Sequence, residues 1–394
     1  MRRRISIFGS TGSIGRNTVA LVEAQGGAEA YEVVALSGAH NVALLAEQAL
    51  RLGARRVVTS EPGLLPELDA RLKGSSTRTA AGVQAVAAAA AERTDWTMSA
   101  IVGAAGLAVS LAAARHGGVL ALANKESLVC AGALLRRVCA DHGTTLLPVD
   151  SEHSAIFQAL RGEREAEIER LVITGSGGPF RKWTRKAMLS ATPEQARAHP
   201  MWDMGERISI DSASMFNKAL EVVEAHELFA IPPDRIEVLI HPQAIIHSMV
   251  GFVDGSVIAQ MGTPDMCGPI GFALNWPERR PLAVERLDFA AIGQLEFAPV
   301  DTERFPALRL AREVLEIGGL AGAVFNASKE VALDAFIHRR IGFLDMAILT
   351  EHVLNELADE ARGAGGDYGL EAVTALDAEA RRLSWAWVDA YTGR

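Results

Sequence analysis

At 394 residues the chain exceeds one typical domain, so two or three are expected. With 49% apolar and 22% charged residues it reads as an ordinary globular protein, and a net charge of −9 excludes general nucleic-acid binding, which needs a basic face, but not small anions gripped locally. Cys130, Cys139 and Cys267 form no C-x-x-C, which excludes a disulfide framework, and the apolar run after MRRR ends at Gly9, too short for a signal peptide or a membrane span; a cytoplasmic protein is expected.

From residue 4 to about 150, short β-branched runs (ISIF, YEVVAL, RRVVTS, SAIVG, VLALAN, TTLLPV) alternate with Ala/Leu-rich helical stretches. That alternation predicts a parallel sheet with crossover helices. From 151 the pattern changes. Strand-like ERLVITG leads into a long Gly/Pro/Trp-containing segment of the kind that often serves as a lid. A helix is predicted from about Ser214 to Phe229, then the strand IEVLI and a hairpin turning at Asp254-Gly255. Residues 277–305 read as a linker, and helical periodicity fills 306–394.

The first chemical motif is ISIFGSTGSIGRN, a strand running into Gly9, Gly12 and Gly15 and then a helix. Glycines admit a close ligand, and the helix N-terminus offers N–H groups to a pyrophosphate. After the second strand, SGAHN carries no acid for a ribose hydroxyl; His40 stands there instead, which favours NADP over NAD.

LALANKESLV places Asn124, Lys125 and Glu126 after a strand, at the sheet edge where such folds bind ligands. TTLLPVDSEH ends in Asp150 and Glu152 flanking Ser151. Read as the end of a strand, the two acids point to one side and repel each other unless a cation that prefers hard oxygen ligands joins them; a solvated loop is the plain alternative. In SIDSASMFNKALEVVEAHELF, Asn217 and Glu221 are four apart and Lys218 and Glu221 three apart, so all three share a helix face. With Ser212 ahead of them, this set suits a phosphate; an ordinary solvated ion pair is the alternative. Only six lysines stand against 33 arginines, and Lys125 and Lys218 fall inside these motifs, where a compact point charge differs from a guanidinium fork. His153, His199, His241 and His247 show no zinc spacing and read best as structural.

The segments GSTGSIG, SAIVGAAGL, LANKESLV, PVDSEHSAIFQ, TGSGGPF, ISIDSASMFNKALE, IEVLIHPQAIIHSMV and MGTPDM, in this order from residue 5 to about 277, closely resemble the 1-deoxy-D-xylulose 5-phosphate reductoisomerase family. The resemblance implies an α/β chain with a Rossmann-like NADPH-binding domain (1–149), a central α+β catalytic domain (150–276), a linker (277–305) and an α-helical C-terminal domain (306–394). It implies a homodimeric enzyme of the non-mevalonate isoprenoid pathway using NADPH and Mg²⁺ or Mn²⁺, with Co²⁺ a further option. The implied reaction isomerises the keto sugar phosphate to a branched aldehyde and reduces it to 2-C-methyl-D-erythritol 4-phosphate.

Position by position, the resemblance implies Asp150, Glu152 and Glu221 as metal ligands. With Lys125 these form the catalytic set. Ser151, Lys125, Glu152, Asn217 and Glu221 would contact the substrate, and Ser176, His199, Ser212, Asn217 and Lys218 its phosphate. Trp202 and Met204 would belong to the lid. Ser10, Thr11, Gly12, Ser13, Ile14, Asn124, Glu126 and Gly205 would hold the cofactor, with Ala39, His40 and Asn41 near its 2′-phosphate. His40, where relatives carry lysine, and NASKE (326–330), against a NAANE-like pattern, depart from the family. A semialdehyde-type dehydrogenase, which needs a nucleophilic cysteine, is discounted because neither Cys130 nor Cys139 has a suitable loop context. The alternatives are another metal-dependent NADP oxidoreductase acting on a sugar phosphate, or a non-catalytic NADP sensor, which would leave the acids and the phosphate set unexplained.

Overall fold

The computed structural model describes residues 2–198 and 205–392. Seven parallel strands form the first sheet: β1 (Arg3–Phe8), β2 (Tyr31–Gly38), β3 (Arg56–Thr59), β4 (Arg78–Ala81), β5 (Trp96–Ser99), β6 (Gly118–Leu122) and β7 (Thr144–Pro148). Their order is β4-β3-β2-β1-β5-β6-β7. The chain winds outward from β1 to one edge, then returns to β1's other side and winds to the opposite edge. That reversal opens a crevice beyond the carboxyl end of β1. Ile5, Ile7, Phe8, Trp96, Met98 and Leu120 are fully or nearly fully buried, as expected of a parallel sheet covered on both faces.

The second sheet has the order β11-β10-β8-β9-β12, from β8 (Ile168–Gly175), β9 (Ile236–Ile240), β10 (Ile246–Phe252), β11 (Val257–Met261) and β12 (Ala298–Pro299). β8 and β9 run parallel; β10 is antiparallel to β8 and to β11. The β10–β11 hairpin turns at Gly255, whose φ of +86° favours glycine. Helices Phe216–Phe229, Ala307–Ile317, Ala321–Ile337, Asp345–Glu356 and Leu370–Thr392 supply the apolar core of this part, centred on Phe216, Phe325, Phe336 and Leu310.

The chain divides into two compact units. One comprises Met1–Ser127, Leu135–Ser154 and Asp265–Val284; the other comprises Leu128–Leu134, Ala155–Pro264 and Glu285–Arg394. Helix Cys267–Asn275 therefore returns to the parallel-sheet unit, where Trp96 Nε1 donates to the Ala273 carbonyl at 2.9 Å. The stretch 277–305, expected as a linker, is divided between the units and contains helix Phe289–Ile292 and strand β12. Among the described residues, no helix is long and apolar enough to cross a membrane.

Candidate functional site

In the parallel-sheet unit, β1 ends at Phe8 and helix Ser13–Ala24 begins after a short turn. The turn between them is stitched to β2: Ser10 N donates to Ser37 O (2.7 Å) and Gly9 N to Ser37 Oγ (3.0 Å). Gly15 is required sterically, because a Cβ there would stand 2.1 Å from the Gly9 carbonyl oxygen. Gly12 occupies the N-cap with no side-chain cap bond, and Gly12 and Ser13 are exposed, so the helix start is open toward solvent. The buried Ser10 hydroxyl has no hydrogen-bond partner among the described residues. An open helix start beside a tight glycine turn fits a pyrophosphate.

Ala39 sits where β2 leaves the sheet, and its carbonyl accepts from Thr59 Oγ1. Asn41 caps helix Val42–Leu52, accepting from Leu44 N at 3.1 Å, and His40 is exposed beside it. Gln48 was not anticipated from the sequence. It is buried on the face shared by Leu45, Ala49 and Leu52, and its Nε2 donates to Ser10 O at 2.9 Å. A polar residue on an otherwise apolar helix face was the available signal.

Asn124 follows β6. Its amide donates to Ile101 O (2.7 Å), Gly103 O (2.9 Å) and Glu126 Oε2 (2.9 Å), and its oxygen accepts from Ser127 N and Oγ. The Asn124 side chain is thus committed to shaping the loop, and Glu126 is held beside it. Lys125 reaches the other way, with Nζ 2.5 Å from Asp150 Oδ2.

Asp150 and Glu152 differ from the sequence expectation. β7 stops at Pro148, and helix Ser151–Ala159 starts directly after Asp150. The two acids are therefore not i, i+2 on a strand. Asp150 closes the helix start, its carboxylate accepting from Glu152 N at 3.2 Å and its carbonyl from Ser154 N. Glu152 lies in the first helical turn, accepting from Ser151 Oγ at 2.5 Å. Aspartate is a strong helix N-cap, and that local preference overrides strand continuation. Burial alone would push the Asp150 carboxyl up. The Lys125 ammonium, helped by His153 Nδ1 at 3.3 Å and by the hydrogen bond with Glu152, holds it well below the usual carboxylate range. His153, read from the sequence as structural, is fully buried against this carboxylate.

In the second unit, helix Phe216–Phe229 follows Met215, a non-glycine residue at φ +64°. Asn217 Nδ2 donates to Glu221 Oε1 at 2.5 Å, and Lys218 Nζ donates both to Glu221 Oε2 and to Thr174 O (2.6 Å). The shared face read from the sequence is thus present, but Lys218 and Glu221 are buried rather than solvated. Ser176 follows β8 in the loop TGSGG, where Gly178 N donates to its hydroxyl. A Cβ on Gly178 would meet the Ser212 carbonyl at 3.0 Å, so this loop lies against Ser212. Ser176, Ser212, Asn217, Lys218 and Glu221 are thereby gathered around one loop and one helix start. Gly205 caps helix Glu206–Ala213 and is exposed. His199, Trp202 and Met204 lie outside the described residues.

His241 is satisfied structurally, contacting Glu296 O through Nδ1 and accepting from Ile245 N through Nε2. No cysteine is in a disulfide; Cys130 and Cys139 are buried in helix Glu126–His142, and burial pushes Cys139 up to about 11. A nucleophilic thiolate is not built there.

Comparison with known proteins decides the family. Residues 5–132 match the family model of 1-deoxy-D-xylulose 5-phosphate reductoisomerase, residues 146–229 its C-terminal domain model, and residues 261–383 a second DXP reductoisomerase C-terminal domain model. The reductoisomerase of Ruegeria sp. is 56% identical over 96% of both chains, and that of Ruegeria pomeroyi 57% identical over the same shares. This chain belongs to the 1-deoxy-D-xylulose 5-phosphate reductoisomerase family. The fold agrees: the Zymomonas mobilis reductoisomerase in complex with NADPH superposes with a TM-score of 0.91 at 46% identity, covering 98% of this chain and 99% of that one. A DOX-P reductoisomerase in complex with NADPH, fosmidomycin and magnesium gives 0.93 at 37% identity, covering 98% of each. The family's α/β architecture with a helical C-terminal region is the one seen here.

The Lys125–Asp150 pair makes a pH-dependent prediction for metal-stripped protein. A carboxyl depressed in the folded state lends stability that is present above its unfolded value and lost as pH falls through the folded one. Lys125→Met leaves Asp150 buried without its main counter-charge, so burial then raises it. Urea unfolding should show a loss of about 3–5 kcal/mol near pH 7, and the deficit should shrink as pH falls through the carboxylate range. A deficit independent of pH would contradict this electrostatic role.

Proposed function

We propose that this chain converts 1-deoxy-D-xylulose 5-phosphate to 2-C-methyl-D-erythritol 4-phosphate with NADPH and a divalent metal, as an enzyme of the non-mevalonate isoprenoid pathway. One observation carries the reading beyond family membership. The acids expected to bind metal are each held in place by a neighbouring side chain within their own unit: Asp150 by Lys125, Glu152 by Ser151, and Glu221 by Lys218 and Asn217.

Asp150 and Glu152, with Glu221 from the second unit, are proposed as the metal ligands. Three carboxylates are the hard oxygen donors that Mg²⁺ or Mn²⁺ prefers. When bound, the cation supplies Lewis-acid polarisation and a template for the substrate's carbonyl and hydroxyl oxygens, and NADPH supplies the hydride. Lys125 adds positive charge where oxyanion character develops, and Ser151 and Asn217 offer neutral hydrogen bonds to the substrate. Ser176, Ser212, Asn217 and Lys218, with His199, are proposed to hold the phosphate. Grip on that remote group provides binding energy for orienting the reacting carbons.

For the cofactor, Thr11, Gly12, Ser13 and Ile14 at the open helix start are proposed to meet the pyrophosphate, with Ser10 beneath them. Ala39, His40 and Asn41 are proposed to meet the 2′-phosphate. Asn124 and Glu126 are proposed to shape the loop beside the nicotinamide, and Gly205 is proposed as a further cofactor contact. Trp202 and Met204 are proposed to cover the substrate. Cysteines outside any disulfide suit a reducing cytoplasm. A homodimer is proposed through the outer edge of β11, where Val257 and Ile258 are 52% and 39% exposed on an edge strand.

The test begins with metal-stripped protein, NADPH and the sugar phosphate, followed at 340 nm, the absorbance of reduced nicotinamide. Adding Mg²⁺ or Mn²⁺ should start NADPH loss; no metal-dependent loss rejects the activity. Glu221→Gln should lower kcat by about 100-fold or more while leaving NADPH affinity within about twofold; weakened cofactor binding instead would misplace Glu221. Light scattering after size exclusion should give a dimer for the parent and a monomer for Ile258→Lys. An Ile258→Lys dimer as tight as the parent's would move the interface elsewhere.

A further inference from the structure

Three of the six lysines are largely buried, and each of the three pairs with an acid. Lys125 and Lys218 belong to the site already described. The third, Lys329, is 3% exposed on helix Ala321–Ile337, and its Nζ lies 2.9 Å from Asp211 Oδ2, 118 residues earlier on helix Glu206–Ala213. Burying both charges is costly unless the pairing is close, and an uncharged pair of similar shape would serve packing as well. The ion pair therefore calls for a role in specifying geometry.

Its position suggests that role. Asp211 immediately precedes Ser212 in the last turn of its helix. Met215 N donates to Ser212 O, and Met215 then adopts a left-handed conformation that L side chains rarely take. This sharp turn leads directly into Asn217 and Lys218. The glycine loop at Gly178 lies against the Ser212 carbonyl, leaving little room for a Cβ there. Lys329 holds the preceding residue. A second, more exposed pair, Arg207–Asp334, joins the same two helices with the charges reversed. A slip that brought Arg207 toward Lys329 would oppose like charges, so the two pairs specify one register.

We propose that Lys329 is a positioning residue for the phosphate-binding turn: through Asp211 it fixes the end of helix Glu206–Ala213, so that Ser212, Asn217 and Lys218 are presented in a single arrangement. The proposal rests on the reading that these three residues bind the substrate phosphate, and the controls separate the two.

Full-length enzyme with NADPH and Mg²⁺ is assayed against the sugar phosphate, and inorganic phosphate serves as a competitive probe. Ser212→Ala is the control for the phosphate reading. Lys329→Met should raise KM for substrate and the inhibition constant of phosphate about tenfold, with kcat and the KM for NADPH within about twofold, and Lys329→Arg should restore part of the loss. The uncharged pair Asp211→Asn/Lys329→Met avoids a lone buried charge, so it decides the matter if Lys329→Met does not fold; it should show the same rise in KM. If Ser212→Ala raises KM while folded Lys329 variants keep parental KM and phosphate inhibition, Lys329 is only structural and the proposal falls. If Ser212→Ala leaves KM unchanged, the phosphate reading falls and takes this proposal with it.

Discussion

A carboxylate inside a protein must meet positive charge, and the candidate site is organised around that requirement. Removing an acid from water without compensation costs several kcal/mol or shifts it to its neutral form. Here Lys125 meets Asp150, and Lys218 meets Glu221, within hydrogen-bonding distance. Asp150 thereby stays charged and both acids are held in place, which is what a hard divalent cation needs of its ligands. The use of lysine in an arginine-rich chain suits this task, because a compact ammonium fits a single carboxylate where a guanidinium fork would demand more acceptors and space.

The architecture delivers these charges from strand ends. In the parallel sheet, the glycine turn follows β1, Asn124 and Lys125 follow β6, and Asp150 follows β7. All leave from carboxyl ends, on the side where the reversal of strand order opens a crevice. In the second unit, Ser176 follows β8, and Glu221 sits in the second turn of a helix that begins after a left-handed residue. Each unit anchors its own charges, so the metal, phosphate and cofactor readings rest on separately held groups.

Local patterns were legible in the sequence and long-range pairing was not. The shared face of Asn217, Lys218 and Glu221 follows from helix periodicity alone and is present as read. The glycine turn and its helix were equally legible, because strand, glycines and helix lie within one short stretch. Asp150 and Glu152 were found by type but placed wrongly: the competition between continuing a strand and capping a helix was decided in favour of the cap. Lys329–Asp211 spans 118 residues and left no local trace, and the return of helix Cys267–Asn275 to the first unit was hidden for the same reason. Gln48 showed only as a polar residue on an apolar face.

The proposal that Asp150, Glu152 and Glu221 bind one divalent cation rests on carboxylates anchored by Lys125, Ser151 and Lys218. Its most direct measurement is Mn²⁺ binding to the metal-stripped protein, followed by electron paramagnetic resonance, for the parent and for Asp150→Asn, Glu152→Gln and Glu221→Gln. Each substitution should weaken Mn²⁺ binding by about tenfold or more. Glu221→Gln protein that binds Mn²⁺ as tightly as the parent would contradict the account.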